Sequence, residues 1–310
     1  MAGGGGGGIL GRYDPQELSR KTREAEDAVR DDRFEAAVND YLASLLAQFN
    51  DRDVTGITEI LDRAKSELQD EIEGTVDLLF GGSVAKHTYV DGLSDIDALV
   101  CLQRQDIAGK SPDQVKGLFA DRLRSRFGSD AVYEGALAVT LNLEGKWIQL
   151  LPAIKEGQKF KIASSDGKSW TSIRPRDFAK ALTDTNTAMG GKLVPTIKLA
   201  KAIIATLPEQ RRLSGYHVES LAIKVFKNYD HAKTPKTMLR HFFEHAPASV
   251  REPIRDSTGQ SVHVDDYLGP ADSLKRRIIA DSLGQIGRKL KNADGARSLD
   301  LWKEPLEETS

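Results

Sequence analysis

The chain has 310 residues, of which 39% are hydrophobic and 29% are charged, and its formal net charge is −2. This length supports one large domain or two modest ones with a real core, and the near-neutral charge argues against a stable nucleic-acid partner. A single cysteine excludes a disulfide within the chain and suits a reducing, cytoplasmic location. No run of about 18 apolar residues is present, so we expect no membrane span.

The N-terminal part of the chain reads as a helical lead-in to a β-containing centre. Residues 1–13 are rich in glycine and lack the apolar stretch of a signal peptide, so we expect a flexible tail. From Asp14 to Glu73, apolar residues recur at steps of three and four, which predicts helices. Gly74 ends this pattern, and a short β-like run follows from Thr75 to Phe80.

The centre of the chain mixes strand and helix signals. Residues 96–102 predict a strand in which Cys101 is a buried thiol. Residues 113–127 predict an amphipathic helix. Two β-like runs within residues 137–151 flank a Glu-Gly pair, which predicts a hairpin, and Pro152 is expected to end its second arm.

After about Asp177 the β signals stop, and the rest of the chain reads as helical. Four helices are predicted, at Leu193–Leu207, Tyr216–Tyr229, Pro235–His245 and Ser273–Lys291. We expect a core with its helical lead-in at 14–175, a helical C-terminal lobe at 176–303 and a flexible tail at 304–310. This mixture indicates an α+β fold rather than an alternating parallel sheet.

The segment from Phe80 to Val100 carries the chemically informative residues. A strand runs into Gly81, Gly82 and Ser83, and a helix start is expected after them. Glycines let a backbone approach a phosphate closely, and the free amides of a helix start favour an anion. Such a triplet also serves as an ordinary turn, but we predict that Gly82 and Ser83 bind a nucleotide phosphate.

Two carboxylates follow at the spacing of a metal site. Asp95 and Asp97 lie two residues apart, so on a strand they share one face and repel each other. Two Mg²⁺ ions, with Mn²⁺ as an alternative, would neutralise them, activate an attacking hydroxyl and stabilise a leaving pyrophosphate. The alternative is a surface strand with two solvent-facing acids. The preceding Gly-Ser pair and the apolar run at 98–100 favour the metal site.

A Gly-Ser pair followed by Asp-hydrophobic-Asp resembles the polymerase-β-like nucleotidyltransferase superfamily. The strings Gly82–Thr88 and Gly92–Asp97 resemble a narrower group, the cyclic GMP-AMP synthase and DncV-like nucleotidyltransferases of bacterial anti-phage signalling, known as CBASS. The resemblance spans about residues 35–290. It implies a polymerase-β-like core with a small mixed sheet and a helical C-terminal lobe, with the active site in the cleft between them.

Two segments of the C-terminal half, 192–201 and 214–221, resemble helical signatures of the same family. The resemblance places Lys198 and Lys201 near the donor triphosphate and Tyr216 against a nucleobase. Lysine is a compact charge suited to phosphate, and an aromatic ring stacks on any base. Without the resemblance, the lysines would be interpreted as solvated helix charges and the tyrosine as a core residue.

The residues beside this tyrosine depart from the family pattern. The family often has a serine directly before the tyrosine, whereas this chain has Gly215 there and Ser214 one step earlier. Ser214 is therefore a secondary candidate for a phosphate contact. We interpret His217 and Glu219 as structural, and no histidine pairs with cysteine or acid at zinc-ligand spacing.

Gln149 stands where the resemblance requires a third acidic residue. In the family this residue helps to hold the metal that activates the attacking hydroxyl, and glutamine offers only one neutral oxygen. Three interpretations follow. The enzyme tolerates Gln149; another acid, Glu134 or Glu144, replaces it; or the protein binds nucleotides without catalysis. We favour an active enzyme, although the position of Glu144 in the turn argues against its taking part.

The resemblance therefore implies a template-independent nucleotidyltransferase that uses ATP and other nucleoside triphosphates. A donor held by Ser83, Lys201 and Mg²⁺, with its base on Tyr216, is attacked by a ribose hydroxyl of a second nucleotide. Ring closure would give a cyclic di- or trinucleotide that activates a separate effector protein. The alternatives are a small-molecule nucleotidyltransferase, an RNA-tailing enzyme and a catalytically silent nucleotide-binding protein.

Overall fold

A computed structural model describes residues 15–50, 59, 62–63, 66, 77–79, 96–102, 107, 109–135, 138–157, 159–164, 167–254 and 265–307. Within these ranges the helices are α1 (Pro15–Asn50), α2 (Pro112–Phe127), α3 (Pro175–Ala188), α4 (Leu193–Ala205), α5 (Gly215–Val225), α6 (Pro235–Arg251), α7 (Leu274–Ala296) and α8 (Leu299–Glu307). The strands are β1 (Asp77–Leu79), β2 (Ile96–Leu102), β3 (Val132–Glu134), β4 (Val139–Leu143), β5 (Lys146–Glu156), β6 (Lys159–Ala163) and β7 (Trp170–Ile173). Strands precede most of the helices, which confirms the α+β prediction.

The described strands form one mixed sheet. Its order is β1-β2-β5-β4-β3, and β6 joins the far end of β5 and pairs in turn with β7. Strand β2 is parallel to β5, and the other pairs are antiparallel. The small mixed sheet implied by the resemblance is thus confirmed. Its one parallel pair joins the strand that carries Asp97 to the strand that carries Gln149.

The predicted hairpin is present between β4 and β5. Glu144 and Gly145 both have positive φ angles, 54° and 77°, as a two-residue hairpin turn of the primed type requires. The prediction that Pro152 ends the second arm is wrong, because β5 continues to Glu156. Pairing with β4 stops at Leu150, and pairing with β6 starts at Ile154. Pro152 lies between these two paired stretches of β5, so its missing N–H interrupts the pairing with neither β4 nor β6.

The two faces of the sheet pack against different partners. One face packs against α2, and its buried residues are Ala98, Val100, Val139, Leu141, Ile148 and Leu150. Helix α2 is held at its start by Ser111 and Gln114, which form a capping box. On the other face, Leu99, Cys101 and Ala153 pack with apolar residues of β6 and β7. Cys101 is therefore the buried strand thiol that was predicted.

A separate core fills the helical half of the chain. It joins α4 to α8 with α3 and the second half of α1, where Val38 and Leu42 are fully buried. The tail predicted from Glu304 is instead helical as far as Glu307. Trp302 anchors this last helix, because its ring is buried and its Nε1 donates to Asp294 Oδ1 at 2.9 Å.

Sequence patterns missed several short or polar elements and placed some helix ends too early. Helix α3 was not predicted, because among its residues of described burial only Phe178 and Leu182 are in the buried core. The elements β3, β6, β7 and α8 were also not predicted. Helices α6 and α7 extend beyond their predicted ends, to Arg251 and Ala296.

Two further predictions fall largely outside the described residues. These are the flexible segment at 1–13 and most of the second helical run before Gly74. In the part of the chain that the structure describes, no helix is both long enough and apolar enough to cross a membrane.

Candidate active site

The parallel pairing of β2 with β5 positions the described members of the first group of predicted site residues. Asp97 is the register partner of Gln149, Gln149 is the partner of Thr140, and Thr140 is the partner of Tyr133. Register partners lie on the same face of a sheet, about 4.8 Å apart from strand to strand. The strand register therefore makes Asp97 and Gln149 neighbours on adjacent strands, and their predicted shared role remains a prediction. The remaining predicted residues of this group, Gly82, Ser83 and Asp95, lie outside the described residues.

Neither acid that was considered as a replacement for Gln149 is placed to act as one. Glu134 belongs to the opposite face of the sheet, and its carboxylate accepts a hydrogen bond from Arg124 of α2 at 2.7 Å. Glu144 lies at the exposed hairpin turn and pairs with Arg63 at 3.1 Å. That interpretation is therefore wrong for both residues.

Lys201 and Glu219 form a buried ion pair between α4 and α5. The distance from Lys201 Nζ to Glu219 Oε1 is 2.8 Å, and the two residues are only 7% and 1% exposed. The interpretation of Lys201 as a solvated helix charge is thus wrong. Lysine is almost never buried without a partner, and Glu219 supplies a carboxylate that fixes the position of the ammonium.

Gly215 allows the start of α5 to approach this ammonium. A Cβ atom at residue 215 would lie 3.3 Å from both Cε and Nζ of Lys201, closer than most real Cβ contacts. With any larger residue at this position, the end of the Lys201 side chain would have to shift by a few tenths of an ångström. Ser214 next to it is the N-cap of α5, and its Oγ accepts the backbone N–H of His217 at 3.2 Å. Its predicted phosphate contact remains a prediction.

Tyr216 is half-buried at the first turn of α5. Its ring lies against Phe178 of α3, with centroids 4.3 Å apart and planes inclined by 32°. This contact fixes the orientation of the tyrosine ring, and its predicted stacking on a nucleobase remains a prediction. Lys198 is buried and donates to Asn50 Oδ1 at the end of α1. It is therefore not a solvated charge, and its predicted role at the triphosphate also remains a prediction.

A buried histidine lies behind the start of α5. His217 is fully buried, its Nδ1 is 3.1 Å from the Tyr267 hydroxyl, and its Nε2 has no hydrogen-bond partner among the described residues. Burial lowers the pKa of His217 to about 4, so the ring is neutral near pH 7. Burial raises the pKa of Tyr267. The same hydroxyl accepts the backbone N–H of Ser214 at 3.3 Å, which supports the start of the helix.

Comparison with solved structures shows which fold this is. Neither a protein-family model nor a curated protein matches the sequence. CdnC of Escherichia coli MS115-1, in complex with HORMA-deltaN, superposes with a TM-score of 0.64 at 20% identity, over 86% of this chain and 98% of that one. CdnG of Bradyrhizobium diazoefficiens, a CD-NTase in complex with GTP, gives a TM-score of 0.62 at 12% identity, over 88% of this chain and 95% of that one.

A variant of the Vibrio cholerae dinucleotide cyclase DncV, in complex with ATP and GTP, gives a TM-score of 0.57 at 12% identity. That match covers 96% of this chain and 90% of that one. The chain has the CD-NTase fold. The likeness confirms the fold that the sequence resemblance implied. Because the identities are low, it concerns the arrangement of the elements.

Within the CD-NTase fold of this chain, sequence reasoning missed two residues that contact the predicted nucleotide-binding residues. Glu219 was interpreted as structural, which agrees with its buried ion pair, but its pairing with Lys201 was not predicted. A signal was present, because Glu219 lies three residues after Tyr216 and so shares a helix face with it. Phe178 lies in a helix that was not predicted, and no sequence signal linked it to the tyrosine ring.

Proposed function

We propose that the chain is a nucleotidyltransferase that joins nucleoside triphosphates into a cyclic di- or trinucleotide and releases pyrophosphate. The observation that carries the proposal is the parallel register of Asp97 with Gln149 in a chain with the CD-NTase fold. The names of the solved neighbours support it, since they include a dinucleotide cyclase with ATP and GTP.

Two groups of residues have separate proposed roles in the reaction, one that binds the donor nucleotide and one that forms the metal site. In the proposed step, a ribose hydroxyl of the acceptor attacks the donor α-phosphate. A new P–O bond forms while the bond to the β-phosphate breaks, and pyrophosphate leaves. Lys201 is the proposed contact for the donor triphosphate, because its ammonium is held in place by Glu219 before substrate arrives. Tyr216 is the proposed contact for the donor base, because its ring orientation is fixed by Phe178.

Asp95 and Asp97 are the residues proposed to hold magnesium, with Gln149 as a neutral neighbour. All of these groups offer oxygen atoms, which are the ligands that Mg²⁺ and Mn²⁺ prefer. The register of Asp97 with Gln149 supports a shared site. Bound magnesium would supply the positive charge that favours ionisation of the attacking hydroxyl and offsets the charge of pyrophosphate. With two carboxylates instead of three, we expect weaker metal binding than in relatives that have a third acid.

We further propose that the cyclic product acts as a second messenger for a separate effector protein in anti-phage defence. ATP is the first substrate to test, together with the other three nucleoside triphosphates. This role is carried by the sequence resemblance to CBASS nucleotidyltransferases, and by the presence of ATP and GTP in a solved neighbour.

The test is a product assay with labelled nucleoside triphosphates and either Mg²⁺ or Mn²⁺, followed by phosphatase treatment and chromatography. The wild-type protein is expected to give a phosphatase-resistant product. The double variant Asp95→Ala/Asp97→Ala should give none, whereas Asp184→Ala, which removes an exposed carboxylate, should match the wild type. A product that persists in the double variant would refute the assignment of the two aspartates.

One observation favours a second candidate, a catalytically silent nucleotide-binding protein. Gln149 is neutral, and neither Glu134 nor Glu144 is placed to replace the missing acid. This candidate predicts ATP binding in calorimetry without pyrophosphate release, and activity gained on Gln149→Asp. Product formation by the wild type would eliminate it.

A further inference from the structure

Two exposed aromatic side chains meet on the sheet. Trp147 of β5 is 45% exposed and Tyr133 of β3 is 47% exposed. Their ring centroids are 5.2 Å apart, and their planes are inclined by 44°. Single exposed hydrophobic residues are common on protein surfaces and need no explanation. Two large rings in contact with each other, and open to solvent, form a surface that can take a flat ligand.

The sheet register places this aromatic pair on the face of the candidate active site. Trp147 precedes Gln149 by two residues on β5, so the two share a face and lie about 7 Å apart along the strand. Tyr133 lies at the end of the row that runs through Thr140 and Gln149 to Asp97. The pair therefore borders the predicted catalytic row.

The rings meet above the strand that separates them. Strands β3 and β5 both pair with β4, and the β4 residues on this face are Thr140 and Asn142. Both are half-buried and smaller than the two aromatic residues. The packed cluster on the same face, which includes Leu99 and Ala153, lies further along the strands. The aromatic pair is thus separate from that core, and the residues of β4 between its two strands on this face are polar.

We propose that Tyr133 and Trp147 form a stacking platform for the nucleobase of the acceptor nucleotide. This inference rests on the proposed function, which requires two nucleotides at once. The donor is assigned to Lys201 and Tyr216 on α4 and α5, so a second base needs a second aromatic surface. Gln149 occupies the position associated with activation of the attacking hydroxyl, and Trp147 is its neighbour on the same face. An aromatic platform accepts any base, because every base has a π face.

The acceptor site can be measured separately from the donor site with two blocked nucleotides. Dideoxy-ATP lacks the attacking hydroxyls and can react only as donor, whereas α,β-methylene-ATP cannot release pyrophosphate and can react only as acceptor. Trp147→Ala and Tyr133→Ala are expected to raise the KM for the acceptor by about 5- to 150-fold. Neither variant should change the KM for the donor. Trp147→Phe keeps a ring and should stay close to the wild type.

The control variant is Leu118→Ala, which removes an exposed apolar side chain from α2, on the other side of the sheet. It should leave both KM values unchanged. If Trp147→Ala raises both KM values equally, or raises neither, the platform is refuted.

A binding measurement separates failure of this inference from failure of the proposed function. Titration with α,β-methylene-ATP is expected to quench tryptophan fluorescence in the wild type and not in Trp147→Phe, and this readout needs no turnover. If the nucleotide quenches the fluorescence but no cyclic product forms, the platform is supported and the proposed cyclase activity is refuted. An equal response of the two proteins would overturn the platform. The platform would also be overturned if Trp147→Ala changed its elution volume in size-exclusion chromatography while its fluorescence was still quenched as in the wild type. That result would indicate that the two rings contact another protein.

Discussion

Replacing Glu219 by alanine tests the buried ion pair on which the proposed triphosphate site depends. The substitution removes a carboxylate that lies 2.8 Å from Lys201 Nζ, and both side chains are almost fully buried. Removing one partner of a buried pair typically costs about 3–5 kcal/mol, because the remaining charge loses its compensation. We therefore expect the free energy of unfolding of Glu219→Ala to fall by about this amount.

A surface pair on α3 provides the matched control. The distance from Lys180 Nζ to Asp184 Oδ2 is 2.6 Å, but these side chains are 75% and 61% exposed. Its N–O distance is similar to that of the buried pair, but it is exposed and lies within one helix. Water and salt screen the exposed pair, and Asp184→Ala should therefore change the free energy of unfolding little.

A double replacement separates the charge from the volume of the buried pair. Lys201→Met combined with Glu219→Leu removes both charges and keeps apolar bulk, which is often neutral or stabilising for buried pairs. This variant should be markedly more stable than Glu219→Ala. It should nevertheless bind ATP more weakly than the wild type, because the ammonium proposed to meet the triphosphate is gone.

The assay is urea unfolding followed by circular dichroism, with ATP affinity measured by calorimetry on the folded variants. If Glu219→Ala is no less stable than Asp184→Ala, burial does not determine the strength of the pair. Undiminished ATP affinity in the double replacement would remove Lys201 from the proposed site while leaving the stability argument intact.

Three further predictions concern the helical half and its surroundings. His217 has a pKa of about 4 in the fold, below its ordinary 6.5, so the unfolded chain takes up the proton first. The free energy of unfolding should therefore fall by about 3 kcal/mol in total as the pH drops from about 6.5 through 4. Unfolding curves measured across this pH range should show that His217→Gln abolishes this loss. The exposed control His231→Gln should retain it. Gly215→Ala should displace the neighbouring lysine ammonium and weaken ATP binding roughly three- to tenfold in calorimetry. Gly117→Ala, with open space around it, should leave ATP affinity unchanged, and equal effects of the two glycine variants would contradict the steric explanation. Trp302→Ala should cost about 3–5 kcal/mol in thermal unfolding, and a loss below about 1 kcal/mol would show that α8 is not held by this ring.

Local patterns in the amino-acid sequence determine much of the fold. The strand at residues 96–102 follows from a nearly continuous apolar run, and the turn between β4 and β5 follows from a Glu-Gly pair between two β-like runs; both are local features of sequence. The sequence also singled out Asp97 and Gln149 as partners, through the resemblance of short motifs. Helix α3 has few large apolar residues and helix α8 is only nine residues long, so neither was predicted.

The tertiary structure decided which distant residues meet. Glu134 was considered in the sequence as a replacement for the acid missing at Gln149, but strand register places the two residues on opposite faces of the sheet. Pairing of Lys201 with Glu219 depends on how α4 packs against α5, because the two residues are separated along the chain. Local patterns specify neither the strand register nor the packing of α4 against α5, because both are set by burial of the whole core.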